Sequence, residues 1–173
     1  MYPYLRAIKV FVSAKRKGEH KLTDLSIMKM TVMPGDIDVF LELNNGRFLT
    51  LMDFGRFDVA IRSGFLTQVR DKKWGLTVAG ASVRFRYRLR LFQKFELQSQ
   101  VIGHDEKWIY FHQKIVRKGR IHASALIRTG VTSSKGIVKV EEVIRTLNFQ
   151  SPIPPLPQWA KAWVDADEIH PKS

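Results

Sequence analysis

The sequence predicts an α+β fold in which a curved antiparallel sheet wraps around one long helix. Residues 45–63 place apolar side chains at three- and four-residue intervals, which is typical of a helix with one buried face. From Trp74 onward the period changes to two, and four strands follow without a helix between them. Parallel strands need a crossover helix, so these strands must pair antiparallel over the single long helix.

The helix over residues 45–63 has recognisable ends. Asn44 or Asn45 is a good N-cap, because its side-chain oxygen can accept an amide proton of the first turn. Ser63-Gly64 ends the pattern where a left-handed C-cap is expected. The apolar stripe consists of Phe48, Leu51, Met52, Gly55 and Val59. A glycine within that stripe predicts close approach of the helix backbone to the sheet.

Strands are predicted on both sides of the helix. The first covers residues 27–39, and Pro34-Gly35 within it indicates an edge strand or a bend. The clearest strand pattern alternates Val83, Phe85, Tyr87 and Leu89 with Arg84, Arg86, Arg88 and Arg90. Three further strands are predicted around 95–101, over 107–118 and over 121–132, and Lys118-Gly119 forms a tight hairpin turn between the last two.

Composition limits the number of domains and the class of chemistry. The 173 residues, 45% of them hydrophobic, suit one domain with a core over roughly 25–148, a basic lead-in at 1–24 and a proline-rich extension at 149–173. No apolar run long enough for a membrane span occurs, and Arg6 and Lys9 interrupt any signal peptide. The absence of cysteine excludes disulfides and thiolate catalysis and is consistent with a cytoplasmic protein.

The C-terminal part of the chain carries weaker signals. A short helix is predicted over residues 140–147, and the proline-rich run 151–157 should be extended. Trp159 and Trp163 lie four residues apart, so we expect them to dock a last helical turn on the body of the protein.

The segment DIDVFLELNNGRF, residues 36–48, carries the chemistry. A carboxylate just before a helix N-terminus is suited to acyl transfer, because the free amide groups there stabilise developing negative charge. The spacing acid-x-acid, five residues, Asn-Asn-Gly-x-aromatic-Leu resembles the D-x-D…(H)-x-N-N-x-x-Y signature of hot-dog thioesterases. It is most similar to the branch of 4-hydroxybenzoyl-CoA-thioesterase-like and acyl-ACP-thioesterase-like proteins, and the resemblance extends loosely over residues 25–148.

The resemblance implies a hot-dog fold and hydrolysis of acyl-CoA or acyl-ACP. No cofactor or metal is expected. It also implies a homodimer at least, since hot-dog active sites commonly lie between protomers. Asp38 matches the acid that activates water or attacks the thioester, and the amides of Asn45 and Gly46 would form the oxyanion hole, with Phe48 near the substrate. The alternatives are a solvated turn aspartate and an ordinary capped helix.

Leu41-Glu42 departs from the family pattern. Many relatives carry Gly-His before the asparagine pair, whereas this chain has a second carboxylate four residues after Asp38. The two acids could form an acid–base pair, or the site could have lost turnover and only bind acyl thioesters. Asp53 and Arg56 predict an ion pair on the helix, and Asp53 and Asp58 are minor candidates for the base.

The formal net charge of +13 indicates an anionic partner. The row Arg84, Arg86, Arg88 and Arg90 suits phosphate or carboxylate contacts, such as the 3′-phospho-ADP group of CoA or an acidic carrier-protein helix. An anionic membrane surface is also compatible. Nucleic acid is less favoured, because no RNP-like motif accompanies the basic residues. The five histidines lack metal-ligand spacing.

Overall fold

The computed structural model describes residues 3–146 and 153–170. The helices are α1 (Tyr4–Arg16), α2 (Asn45–Arg62), α3 (Phe65–Asp71), α4 (Val140–Thr146) and α5 (Gln158–Glu168). The strands are β1 (Ser26–Thr31), β2 (Gly75–Phe85), β3 (Lys94–His104), β4 (Ile109–Arg117), β5 (Arg120–Ser133) and β6 (Gly136–Val138). The sheet is antiparallel in the order β1-β3-β4-β5-β2, and β6 pairs with β5.

The long helix α2 lies against the sheet as predicted. Its apolar stripe is buried, and the helix packs on β1, β3 and β4. Each large side chain buried in this way stabilises the fold by roughly 1.5–3 kcal/mol. Asn44 is the N-cap, since its Oδ1 accepts the Gly46 amide proton at 2.9 Å. Gly64 adopts a left-handed φ of 74° just beyond the end of the helix, as expected.

Gly55 allows this close packing. A Cβ at that position would lie 2.9 Å from Gln113 Nε2 and 3.1 Å from Leu97 Cδ2. Gln113 is fully buried and donates hydrogen bonds to the Met52 carbonyl at 2.8 Å and to Ser99 Oγ at 2.7 Å. The glycine therefore leaves room for a buried polar network that links α2 to β3 and β4.

The first strand is shorter than predicted. β1 ends at Thr31, and the chain then turns through a 3-10 helix at Pro34–Asp36. Pro34 has no amide proton for a sheet ladder. The last contact on this side is made by the Val32 amide, which donates to the carbonyl of Gln93, just before β3, at 3.0 Å. The predicted edge position is confirmed, because β1 pairs only with β3 in the described sheet.

The arginine-rich strand also ends early. β2 stops at Phe85, because the amides of Arg86 and Tyr87 both donate to the His122 carbonyl, at 2.8 and 3.2 Å. The ladder with β5 cannot continue once two successive amides share one acceptor. Residues 86–90 therefore leave the strand. The predicted alternation holds only in part, because Val83 is partly buried and Leu89 buried, whereas Phe85 and Tyr87 are exposed like the arginines.

The hairpin turn is confirmed, with φ of 49° at Lys118 and 72° at Gly119 between β4 and β5. The sequence did not predict α1, which packs on α2 through Val10 and Ala14, nor α3 and β6. Within the described residues, no helix has the length and apolar character needed to cross a membrane.

The C-terminal segment covers the sheet face that is turned away from α2. Side chains alternate along β4, so Tyr110 points to this outer face while its neighbours join the main core. Ala160 of α5 is buried there, and the Arg128 guanidinium lies 4.8 Å from the Trp163 ring centroid. The expected docking of Trp163 is confirmed. Residue 147, the last of the short helix predicted over 140–147, lies outside the described residues. Residues 149–152 of the predicted C-terminal extension also lie outside them.

Candidate functional site

The turn before α2 is a tight, antiparallel loop. Ile37 pairs with Leu43, and the Asp38 amide donates to the Glu42 carbonyl at 2.9 Å. The Leu41 amide closes the tip by donating to the Asp38 carbonyl at 3.0 Å, with a left-handed φ of 57° at Leu41. This loop fixes the backbone of Asp38 a few residues from the helix N-terminus.

Asp36 stabilises the bend. Its carboxylate is buried, and Oδ2 accepts the Met33 amide proton at 2.9 Å. The same oxygen lies 2.9 Å from Arg6 Nη2 on α1. With its charge balanced and its oxygen engaged, Asp36 is a structural carboxylate that ties α1 to the turn.

Asp38 is held differently. Its Oδ1 accepts the amide protons of Phe40 at 2.9 Å and Glu42 at 3.4 Å, while the side chain is only half-buried. Its Oδ2 has no hydrogen-bond partner among the residues that the structure describes. One oxygen thus orients the carboxylate and the other is available to a substrate or a water molecule.

The N-terminus of α2 supplies one amide rather than two. The Gly46 amide already donates to Asn44 Oδ1 at 2.9 Å, so in this structure it serves as the cap. The Asn45 amide has no acceptor within the described parts of the chain, as is usual for the first turn of a helix. Of the two expected oxyanion donors, Asn45 is therefore the one that is open.

Glu42 joins the turn to the segment that follows β2. Its carboxylate lies 3.0 Å from Arg88 Nη1, and its backbone pairs with Arg90. The Leu43 amide donates to the Leu89 carbonyl at 2.7 Å, which continues the contact. The structure thus gives Glu42 a cationic partner that the sequence motif did not reveal.

The other expected substrate-binding residues are spread over two environments. Arg84 and Arg86 are exposed, and the Arg88 side chain is 70% exposed despite its ion pair. Phe48 is buried, with its ring 5.1 Å from that of Phe85, so it fixes α2 against β2. The arginines are therefore accessible to an anionic group, whereas Phe48 belongs to the core.

A cavity of about 200 Å³ lies between α2 and β2, away from the motif. Its apolar lining includes Phe57, Phe65, Leu76, Val78 and Phe111. Asp53 and Arg56 also line it and form the expected ion pair. Burial raises the pKa of Asp53, and the Arg56 guanidinium opposes that rise. Sequence reasoning missed this cavity, because its lining comes from elements far apart in the chain.

Asp58 is not available for chemistry. Its buried carboxylate contacts Lys17 Nζ at 3.0 Å, Arg62 Nη1 at 3.2 Å and Ser26 Oγ at 2.7 Å. Burial alone would raise the pKa of Asp58, but the hydrogen bonds and positive charges of these partners outweigh it and hold the pKa below its usual value. Asp58 therefore joins α1, α2 and β1 as an ionised structural group.

His112 and His122 have local packing roles. Burial lowers the pKa of His112, whose ring lies 5.1 Å from that of Trp159, and His122 Nδ1 is 3.1 Å from the Arg88 carbonyl oxygen. Over residues 3–146 and 153–170, no three His, Asp or Glu side chains are grouped closely enough to hold a metal ion.

Comparison with known proteins agrees with this architecture. Residues 32–164 match the family model of the thioesterase-like superfamily. Protein THEM6 of Drosophila melanogaster is 29% identical over 163 residues, which cover 92% of this chain and 82% of that protein.

Solved structures share the fold. The probable thioesterase YbaW from Escherichia coli superimposes with a TM-score of 0.66 at 21% identity, covering 73% of this chain and 98% of that one. The BH1999 gentisyl-coenzyme A thioesterase gives 0.63 at 18% identity, covering 69% and 99%. The family model spans most of the chain and the hot-dog arrangement is present, so this protein belongs to the thioesterase-like superfamily.

Proposed function

We propose that this protein hydrolyses acyl-CoA thioesters, with Asp38 as the general base. The observation that carries the proposal is the state of the Asp38 carboxylate, which is oriented through Oδ1 while Oδ2 is open. It precedes the N-terminus of α2, whose amides and dipole favour negative charge. Membership of the thioesterase-like superfamily supports thioester hydrolysis as the reaction.

The proposed chemistry needs one base and one oxyanion donor. Asp38 Oδ2 takes a proton from water as the water oxygen bonds to the carbonyl carbon of the thioester. The Asn45 amide donates to the carbonyl oxygen as it gains charge. The tetrahedral intermediate then collapses, the C–S bond breaks, and the leaving thiolate takes the proton back from Asp38. Direct attack by Asp38 on the carbonyl would need the same open oxygen.

The acyl group is assigned to the cavity beside Asp53, because its lining is largely apolar. CoA is taken as the carrier, and the exposed Arg84 and Arg86 at the end of β2 would contact its phosphates. The solved relative BH1999 is itself a coenzyme A thioesterase, which is consistent with this choice.

A homodimer would join the cavity to Asp38. β2 has 11 residues, lies at the end of the described sheet, and exposes Leu76, Val78 and Phe85. A second copy can cover this edge by antiparallel pairing about a two-fold axis, which sets the start of one β2 beside the end of the other. The cavity touches the start of β2, and the turn is bonded to residues 88–90 beyond its end. The turn of one protomer would therefore face the cavity of its partner.

A mixing experiment tests the shared site. Asp38→Asn removes the base and Val78→Trp fills the cavity, so each homodimer should be inactive. After subunit exchange, half of the dimers are mixed, and each of these contains one site with both parts intact, so activity should recover to about one quarter of wild type. Light scattering before mixing must show that both variants are dimers. No recovery would place the cavity and the base in the same protomer.

A thiol-release screen tests the reaction itself. Wild-type protein is assayed against acyl-CoAs of increasing chain length and against the same acyl groups on acyl carrier protein. We expect turnover with CoA substrates and a limit on chain length set by the cavity. Preference for the carrier-protein substrates would show that the carrier is acyl carrier protein rather than CoA. Saturable acyl-CoA binding without thiol release would show instead a binding protein with an inactive site.

A further inference from the structure

Helix α1 has two apolar faces, and only one of them is used in the fold. Val10 and Ala14 are buried against the rest of the protein. A second set, here called the outer stripe, follows the helix at three- and four-residue spacing on the exposed side. It consists of Leu5, Ile8 and Val12, which are 80%, 59% and 44% exposed. A stripe of large apolar side chains directed to solvent costs free energy unless something covers it.

The charges around the outer stripe are all positive. The helix contains no acidic residue, and Lys9, Lys15 and Arg16 are exposed. Two further cations of this region are already compensated, because Arg6 pairs with Asp36 and Lys17 with Asp58. Lys9, Lys15 and Arg16 have no ion-pair partner in the described chain. The covering surface should therefore be apolar inside and anionic outside.

A groove beside α1 also combines apolar surface with positive charge. It has a volume of about 820 Å³ and runs between α1 and the free edge of β1. Leu5, Met28 and Met33 contribute apolar surface to it, and Lys9 and Lys29 contribute positive charge. Methionine side chains are flexible and adapt to irregular apolar partners such as acyl chains. The groove extends the outer stripe into a wider amphipathic surface.

The length of α1 determines how it could meet a bilayer. Its 13 residues measure about 20 Å, which is shorter than the roughly 30 Å hydrocarbon core. Its other face is fixed to the protein by buried side chains, so it cannot insert end-on. A helix of this kind lies in the plane of the interface, with apolar side chains among the acyl chains and basic side chains at the phosphates.

We propose that the outer stripe of α1 docks this protein on the surface of an anionic lipid bilayer. Leu5 and Ile8 enter the acyl region, while Lys9, Lys15 and Arg16 contact lipid phosphates. The docking does not depend on Asp38 or on thioester hydrolysis.

Vesicle co-sedimentation tests the docking. Phosphatidylcholine vesicles with and without phosphatidylglycerol are titrated with wild type, with the double variant Leu5→Ser/Ile8→Ser, and with a triple variant in which Lys9, Lys15 and Arg16 become Gln. The wild type should bind the phosphatidylglycerol vesicles more tightly, and high salt should weaken that binding. The double variant should lose at least tenfold in affinity, and the triple variant on the order of a hundredfold at low salt.

Matched variants separate docking from general adsorption of a basic protein. The change of Lys72, Lys135 and Lys161 to Gln removes the same charge from other exposed sites, and Ile137→Ser/Ile169→Ser removes exposed apolar side chains elsewhere. Both controls should bind nearly as well as wild type. Equal losses in the controls, or unchanged binding in Leu5→Ser/Ile8→Ser, would overturn the proposal. All variants should keep the wild-type melting temperature, because the substituted side chains are exposed.

A local probe gives an independent reading. The chain has no cysteine, so Ile8→Cys can carry a single environment-sensitive fluorophore. Its emission should shift to the blue on phosphatidylglycerol vesicles, whereas the same label on Ile169→Cys should not respond. A label at residue 8 that stays in water would overturn the proposal. A drop in oligomer mass caused by Leu5→Ser/Ile8→Ser without lipid would also overturn it, since the outer stripe would then be a protein interface.

Discussion

The turn before α2 and the body of α2 both contain carboxylates, but the two regions treat them differently. Asp58 in the helix has three partners, two of them cations, and none of its surface is accessible. Asp38 in the turn is held only by backbone amides on one oxygen, and its other oxygen is open. Both arrangements fix a carboxylate in place, yet only the second leaves it able to accept a proton.

The difference separates stability from chemistry. A buried carboxylate surrounded by cations is costly to disturb and contributes to folding. A half-buried carboxylate positioned by a loop contributes little to folding but can take part in a reaction. Asp53 lies between the two cases, because it has a cationic partner and also lines the cavity. The predictions that follow test this division.

The largest expected effect is on stability at Asp58. Asp58→Asn leaves Lys17 and Arg62 without their carboxylate, so the free energy of unfolding should fall by about 3 kcal/mol. Urea unfolding measures this change. Asp71→Asn removes an exposed pair with Arg70 and should cost less than about 1 kcal/mol. Similar losses in both variants would show that burial does not distinguish these ion pairs.

The Asp58 carboxylate also makes the stability of the protein depend on pH. The folded pKa of Asp58 is below its usual value of 3.8, so its contribution is fully present above that value. It is lost as the pH falls from about 4 through the lower folded pKa. The wild type should therefore lose more stability on acidification than Asp58→Asn does. Parallel stability curves for the two proteins would contradict the ionised state of Asp58.

At Asp38 the effect should be on the rate rather than on folding. Asp38→Asn is nearly isosteric, and it should lower kcat by on the order of a hundredfold with the melting temperature unchanged. Asp53→Asn makes the same change beside the cavity and should lower kcat less than about tenfold. Thiol release measures both. The opposite ranking would make Asp53 the base, and activity would then rise with pH above the usual range of a carboxylate, because burial raises the pKa of Asp53.

Gly55→Ala tests how closely α2 packs on the sheet. The new methyl would press on Ser99, Gln113 and Leu97 and disturb their buried hydrogen bonds. Alanine favours helix by about 1 kcal/mol, but overpacking should dominate and lower stability by about 2 kcal/mol in total. Gly18→Ala, with nothing within 4 Å of its Cβ, is the control. A more stable Gly55→Ala protein would mean that the sheet can move away from the helix.

The sequence predicted the regions whose pattern is local. The stripe on α2, its asparagine cap and the Lys118-Gly119 turn depend on residues close in the chain, and all are confirmed. The end of β2 depends on the His122 carbonyl, and the cavity depends on five separate elements, so neither had a local signal. The motif identified Asp38 but could not show that Arg88 pairs with Glu42.

The smallest expected effect is at Glu42. Its ion pair with Arg88 is largely exposed on the arginine side, so Glu42→Gln should change stability by less than about 1 kcal/mol. The Glu42 amide, rather than its side chain, contacts Asp38, so the amide variant keeps that bond. Because Arg88 already balances the charge, we expect kcat to change less than about threefold and the pH–rate profile to keep its midpoint.

Arg88→Met provides the matched test, since it leaves Glu42 charged but without its partner. If the charge of Glu42 affects the ionisation of Asp38, Arg88→Met should move the midpoint of the pH–rate profile to higher pH. A shift of that midpoint to lower pH in Glu42→Gln would restore the hypothesis of an acid pair. If neither variant moves the profile, the two carboxylates act independently, and Glu42 serves to bind the turn to the segment that follows β2.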